Sequence, residues 1–424
     1  MMDKHSPKDK FRRKAISVAE AQAKILPLVG RTEAEYVPLY EAQGRILAEQ
    51  ITAPHPYPHF RRSGMDGFAI LSSDTADCSA DHPVLLEVVD EIACGALPRV
   101  PLAPGKVARI MTGAKVPDEA DAVVMFEMTE TVTQHGKVFI RLIREIEKGK
   151  NITNVGLELA AGDPILAPGR NIGPGEISVL ATFGVHRVPV MKRPRIAIFS
   201  TGSELLSIEE PLQDGRIRNS NTYMLASQIK EAGGEPYILE AIKDDLVTAQ
   251  RRVQEAFDEY DMLVTTGGVS VGDFDIMADL VSDGDLEMLF NKVMMRPGSV
   301  TTAAVMDGKL LFALSGNPGA CFVGFELFVR PAIGGMLGVP QPFLTEITAE
   351  LGRPYRKINS FTRYVRGRLE VREGKLFAYP AELDESNVMI TIKDSDGLIV
   401  IPPSTEGREP GELVTVLRLP GCLL

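Results

Sequence analysis

Between Pro194 and residue 335 the chain alternates short apolar runs, glycine turns and helical stretches, and this rhythm constrains its fold more than any other feature. Residues 195–200 read as a buried strand. A glycine turn and a helix over 222–231, ended by Gly233-Gly234, follow it. A strand over 236–240 leads to Asp244-Asp245 and a helix over 246–257. Residues 262–266 run into Gly267-Gly268, and residues 309–314 run into Gly316-Asn317-Pro318 and a further helix. Strands that alternate with helices must lie parallel and be covered on both faces, so the spacing predicts a doubly wound, mostly parallel α/β sheet over 185–338.

The flanking segments lack that rhythm. Ser17 and Glu20 form a capping-box pattern before apolar residues at helical spacing, and a second helical pattern is expected over 40–51. Pro54, Pro56 and Pro58 then force an extended stretch, which also keeps His55 and His59 off a common helix face. Runs at 84–91, 107–111, 122–126 and 138–143 read as strands of a β-domain. Helix is expected again after Pro174, with Gly184 as its cap. Beyond Pro340, strands are expected at 362–371, 375–379, 388–392, 398–401 and 413–417, with a hairpin turn at Glu373-Gly374. The expected organisation is a discontinuous helical module (15–51 and 150–184), an inserted β-domain (52–149), the α/β domain (185–338) and a β-barrel-like C-terminal domain (339–424).

Composition narrows the function. A net charge of −11, no Trp and 6% aromatics argue against a nonspecific nucleic-acid binder, which needs a basic surface. Cys78, Cys94, Cys321 and Cys422 show no metal or disulfide spacing and read as buried thiols of a reduced compartment. The most apolar stretch, 321–339, carries Glu326, Arg330 and Pro331, so no membrane span is expected and a cytoplasmic location is.

In an open parallel sheet the ligand lies beyond the C-terminal strand ends. Four loops are expected there: Ser200–Glu204, the Asp244 segment, Thr266–Asp275 and Ser315–Gly319. Their glycines allow close approach of backbone N–H groups to an anion. The groups expected to cradle a phosphorylated ligand are Thr201, Gly202, Ser203, Gly267, Gly268, Ser270, Gly272, Ser315, Gly316 and Asn317. Glu204, Asp244 and Asp275 at one edge would repel each other and the phosphate. A hard divalent cation, most simply Mg²⁺, resolves that repulsion, with Glu204 and Asp244 as its ligands.

The run Thr266-Gly-Gly-Val-Ser-Val-Gly-Asp-Phe-Asp275 resembles the signature of the MoeA family of molybdopterin molybdenumtransferases, related to the plant Cnx E domain and the gephyrin E domain. Arg62–Ala69, Arg109–Ala114, Phe199–Leu205 and Leu314–Pro318 are similar to further family segments, in family order. The resemblance implies a four-part subunit in a head-to-tail homodimer, working among other proteins of its pathway. It implies conversion of adenylylated molybdopterin and molybdate, with Mg²⁺, to molybdenum cofactor and AMP. It places Glu204, Asp244 and Asp275 on acidic active-site positions, and Asp66 and Thr112 on functional positions that the partner subunit brings to the cleft. Lys292 and Arg296 become candidates for holding molybdate or the pterin phosphate, and Ser386 loosely matches a functional serine. The chain departs from the family at 151–158, where basic residues are missing and Glu158 replaces an aspartate, and at Ser299 and Arg296, where lysines are common. An adenylyltransferase and a non-catalytic molybdopterin-binding scaffold are the alternative readings.

Overall fold

The computed structural model describes residues 14–202, 204–240, 246–267, 286–358 and 360–421. They form two compact units, one from the described parts of Met1–Glu49, Pro168–Ile177 and His186–Leu424, the other from Gln50–Ala167 and Ser178–Val185.

The centre of the first unit is a six-stranded sheet in the order Glu235–Ile238, Arg195–Ser200, Met262–Thr266, Lys309–Leu314, Thr302–Met306, Glu287–Phe290. The first four strands are parallel, as expected, with Ile198 beside Val264 and Val264 beside Phe312. Thr302–Met306 runs antiparallel to Lys309–Leu314, and Glu287–Phe290 runs antiparallel to Thr302–Met306, so the sheet extends beyond what the α/β rhythm implies. Every residue of Met262–Thr266 is buried, which is why its sequence is a continuous apolar run closed by threonines. Helix Asn221–Glu231 and the helical run from Pro318 cover one face. On the other face, Val253, Ala256 and Phe257 pack on Ala197, Leu263 and Leu311. Cutting a fully buried residue such as Phe312 to alanine would cost about 3–5 kcal/mol.

The helical run Pro318–Met336 is long and apolar enough to cross a membrane, yet 94% of it is buried within the fold. Its two charges are enclosed together. Arg330 Nη2 donates to Glu231 Oε2 at 2.8 Å and to Glu326 Oε1 at 3.0 Å, and Gln228 Nε2 donates to the same Glu326 oxygen at 2.7 Å. Burial of an ion pair is tolerable only with such added hydrogen bonds.

The C-terminal strands close on themselves. Thr362–Arg372 pairs with both Lys375–Pro380 and Gly397–Ile401, and Thr345–Leu351 and Leu413–Arg418 complete a five-stranded barrel. Glu373 and Gly374 both have positive φ (50° and 77°), the geometry a two-residue hairpin requires. The expected strand at 388–392 is not one. Buried Arg366 takes the carbonyls of Glu385 (3.0 Å) and Val388 (2.5 Å), so that backbone is held by a side chain instead of a ladder.

The helical module is also corrected. Helix Val18–Ile25 and its capping box form, and so does helix Pro174–Thr182. Residues 40–51 do not form a helix. Gly44 adopts φ 73°, and the N–H groups of Gly44, Leu47 and Ala48 donate to Ile172, Arg170 and Pro189 instead of to the preceding turn. Residues 150–173 contribute the short strands Ile152–Thr153 and Pro164–Leu166.

The second unit is a mixed six-stranded sheet in the order Ala122–Met125, Gly67–Ile70, Lys106–Ile110, Val84–Ile92, Lys137–Leu142, Glu130–Gln134. Gly67 has no substitute here, because a Cβ would overlap the Val124 carbonyl of the neighbouring strand. Cys78 and Cys321 are buried as expected. Cys94 is exposed, because its turn lies at the rim of this sheet, where its thiol donates to the Thr112 carbonyl at 3.2 Å. Cys422 lies outside the described residues.

Candidate active site

The adjacent strands Arg195–Ser200, Met262–Thr266 and Lys309–Leu314 all end at one edge of the central sheet, so the loops that follow must meet. Thr201 N–H donates to the Thr266 carbonyl at 3.0 Å, and Gly267 N–H donates to the Leu314 carbonyl at 3.1 Å. Gly267 has φ 91°, and a Cβ on it would lie 2.5 Å from the Thr201 carbonyl oxygen. A Cβ on Gly316 would lie 3.5 Å from Gly267 Cα. Three of the four predicted loops thus converge, and the glycines are what let their backbones approach.

Glu204 projects from the first of these loops. Its carboxylate sits where a Gly202 side chain would be, with Gly202 at φ 136°. Among the described residues no cation lies within ion-pair distance of it. Ser203, Asp244, Gly268, Ser270, Gly272 and Asp275 lie outside the described residues. As a hard oxygen donor, Glu204 fits a magnesium ligand.

The third loop is tied to the barrel. Asn317 Nδ2 donates to Ser386 Oγ at 3.2 Å, and the Ser386 carbonyl accepts the N–H groups of Gly319 (2.8 Å) and Ala320 (3.3 Å). Two N–H groups at the start of the helix after this loop are therefore already bound within the chain. Arg366, which holds the same barrel segment, went unread in the sequence because an arginine inside a strand pattern reads as solvent-facing. Lys292 is half-buried and Arg296 exposed, and among the described residues neither has a carboxylate partner. Arg296 pairs along the barrel strand at Arg363, and a Cβ on nearby Gly298 would lie 3.3 Å from the Ala320 carbonyl.

In the second unit, Asp66 and Thr112, 46 residues apart, are brought together. Asp66 Oδ1 accepts the Thr112 backbone N–H at 2.6 Å and its hydroxyl at 2.8 Å. The backbone donor chiefly, then the hydroxyl, holds the Asp66 carboxyl below the usual aspartate range. Glu158, at the departure from the family pattern, pairs with Arg62 at 3.1 Å.

A glycine-lined strand-end edge on a doubly wound sheet, with an exposed carboxylate beside it, defines a class of phosphoanion-binding α/β proteins. Residues 197–335 match the family model described as a probable molybdopterin binding domain, residues 16–184 the MoeA N-terminal region (domains I and II), and residues 348–419 the MoeA C-terminal region (domain IV). The chain is 44% identical over 419 residues to the molybdopterin molybdenumtransferase of Bacillus subtilis strain 168, covering 99% of this chain and 96% of that one. It is 40% identical over 406 residues to the molybdopterin molybdenumtransferase of Staphylococcus aureus strain MSSA476, covering 96% of each. A crystal structure of the MoeA molybdopterin biosynthesis protein of Pyrococcus horikoshii OT3 superposes with a TM-score of 0.82 at 27% identity, over 96% of this chain and 100% of that one. The chain belongs to the MoeA family.

Proposed function

We propose that this protein is a molybdopterin molybdenumtransferase that converts adenylylated molybdopterin and molybdate to molybdenum cofactor and AMP. The observation that carries this reading is the meeting of the Gly202, Gly267 and Gly316 loops at one sheet edge of a MoeA-family chain. Backbone donors of these loops bind the pterin phosphate. Lys292 and Arg296 add the positive charge that an acidic chain otherwise lacks, and hold molybdate near the dithiolene. Magnesium, held by Glu204 and Asp244, would neutralise charge on the phosphoanhydride that is cleaved. Asp66, fixed by Thr112, is an ionised acceptor in the second unit at neutral pH. The enzyme works as a cytoplasmic homodimer.

The test is complementation. Expressed in bacteria lacking their own insertase, the chain restores molybdoenzyme activity at low molybdate, and Asp275→Ala abolishes the rescue. A folded, well-expressed chain that fails to rescue would refute insertion. ATP-dependent adenylylation of molybdopterin by the purified chain would instead assign it the preceding step.

A further inference from the structure

Two asparagines at the start of helix Asn221–Glu231 tie together three strand ends of the candidate site. Asn219 does the capping. Its Oδ1 accepts the Thr222 hydroxyl at 2.7 Å and the Thr222 N–H at 3.3 Å, while its Nδ2 donates to Ser200 Oγ at 3.0 Å. Asn221 is therefore not needed as a cap. It is 8% exposed, and its Nδ2 donates to Thr266 Oγ1 at 2.9 Å and to the Gly316 carbonyl at 2.8 Å.

The Thr266 hydroxyl is fully used at this junction. It accepts from Asn221 and from the Cys321 thiol (3.7 Å), and donates to the Ser315 carbonyl at 3.2 Å. Burial pushes the Cys321 thiol up to about 12, against a smaller opposing effect of the Thr266 hydroxyl, so it remains a donor. An aspartate of the same shape would put an oxygen against the Gly316 carbonyl, where only a donor is tolerated. Asn221 has a further cost: among the described residues its buried Oδ1 has no hydrogen-bond partner. Asparagine is also a poorer helix former than alanine. Local stability does not explain the choice, and residues that break local rules concentrate at functional sites.

We propose that Asn221 is a positioning residue of the transferase, setting the separation of Gly267 and Gly316 at the strand-end edge that receives the phosphate-bearing substrate. This inference rests on the function proposed above. The braced loops hold the phosphate alike before and during cleavage of the phosphoanhydride, so loss of the brace weakens ground-state and transition-state binding together and falls on KM more than on kcat.

The experiment compares the purified full-length wild type with Asn221→Ala, Asn221→Asp and Leu225→Ala. Leu225 is fully buried one turn further along the same helix and destabilises without touching the brace. KM and kcat for adenylylated molybdopterin are measured at a temperature where all four are folded, beside molybdopterin affinity by fluorescence quenching. Asn221→Ala is expected to raise KM and the dissociation constant about tenfold, the scale of a lost hydrogen bond to a charged group, with kcat changed less than threefold. Asn221→Asp raises them further, and Leu225→Ala leaves both near wild type. A normal KM in Asn221→Ala, with active wild type, would overturn the positioning role. A wild type that neither binds nor converts molybdopterin would overturn the function itself.

Discussion

In the central sheet, Glu204 folds its carboxylate over Gly202 and meets no cation among the described residues, whereas in the second unit Asp66 commits one oxygen to two donors of Thr112. Both acids are exposed, and both stand at turns whose glycines admit tight backbone contacts. Their surroundings nonetheless give them different duties. The Thr112 donors fix where Asp66 sits and keep it ionised before any ligand arrives. Among the described residues Glu204 has no such anchor, which suits a partner that comes with the substrate or a metal. An acid whose interactions form only with ligand can contribute to catalysis in full, while an acid already bound by its own chain contributes mainly through orientation.

The comparison is most exposed at Glu204. Glu204→Gln keeps the size of the side chain but removes its charge. Turnover of adenylylated molybdopterin is expected to fall about 100- to 1000-fold, the range for loss of one electrostatic group at a reacting phosphate or oxyanion. Stability should shift by no more than about 0.5 kcal/mol, as for an exposed residue with no ion pair among the described residues. A chemical denaturation curve together with a single-turnover assay checks both, and a variant that loses stability but keeps turnover would reverse the assignment. A smaller effect is expected at Gly202→Ala. The new methyl occupies the carboxylate's place at a backbone φ of 136°, costing about 1–3 kcal/mol. Its loss of turnover should arise from displacing Glu204. The double variant Gly202→Ala/Glu204→Gln is then no slower than Glu204→Gln alone, and additive losses would show that the glycine acts separately.

What the sequence disclosed follows from how local each signal is. Arg195–Ser200, Met262–Thr266 and Lys309–Leu314 were legible to the residue, because strands buried on both faces are apolar throughout and stop at glycine or hydroxyl residues. The loops after them, and so Thr201, Gly202, Glu204, Gly267 and Gly316, were legible from the same boundaries. Thr302–Met306 was not, since a hairpin partner within an α/β pattern carries no rhythm of its own. The stretch from 40 to 51 showed helical spacing, but the N–H groups of Gly44, Leu47 and Ala48 bond to carbonyls more than a hundred residues away, which no local pattern records. Asn221 was missed because an asparagine before a helix reads as a cap, and Asn219 turns out to fill that role. Asp66 and Thr112 were recognised only through family resemblance. An Asp before a glycine signals a turn, and nothing nearby reveals that its partner lies 46 residues on.

The subtlest consequence concerns the proton of Asp66. Thr112→Val removes the hydroxyl donor and leaves the backbone donor, which is the larger cause of the lowered pKa. The Asp66 titration midpoint, followed by carbon-detected NMR of its carboxyl, is expected to rise part of the way toward the usual aspartate value and no further. The sign for stability follows from the direction of the shift. A carboxyl held low in the folded state stabilises the fold at pH values above its unfolded midpoint, and that contribution is lost as pH falls through the lower, folded one. The wild type should therefore lose this increment only in strongly acidic solution, and Thr112→Val should lose its smaller increment at a slightly higher pH. At neutral pH Asp66 stays ionised in both proteins, so any fall in turnover of Thr112→Val reports misplacement of the carboxylate. If the midpoint does not move, the hydroxyl contact at 2.8 Å contributes nothing to the acid, and the Thr112 backbone N–H alone holds it.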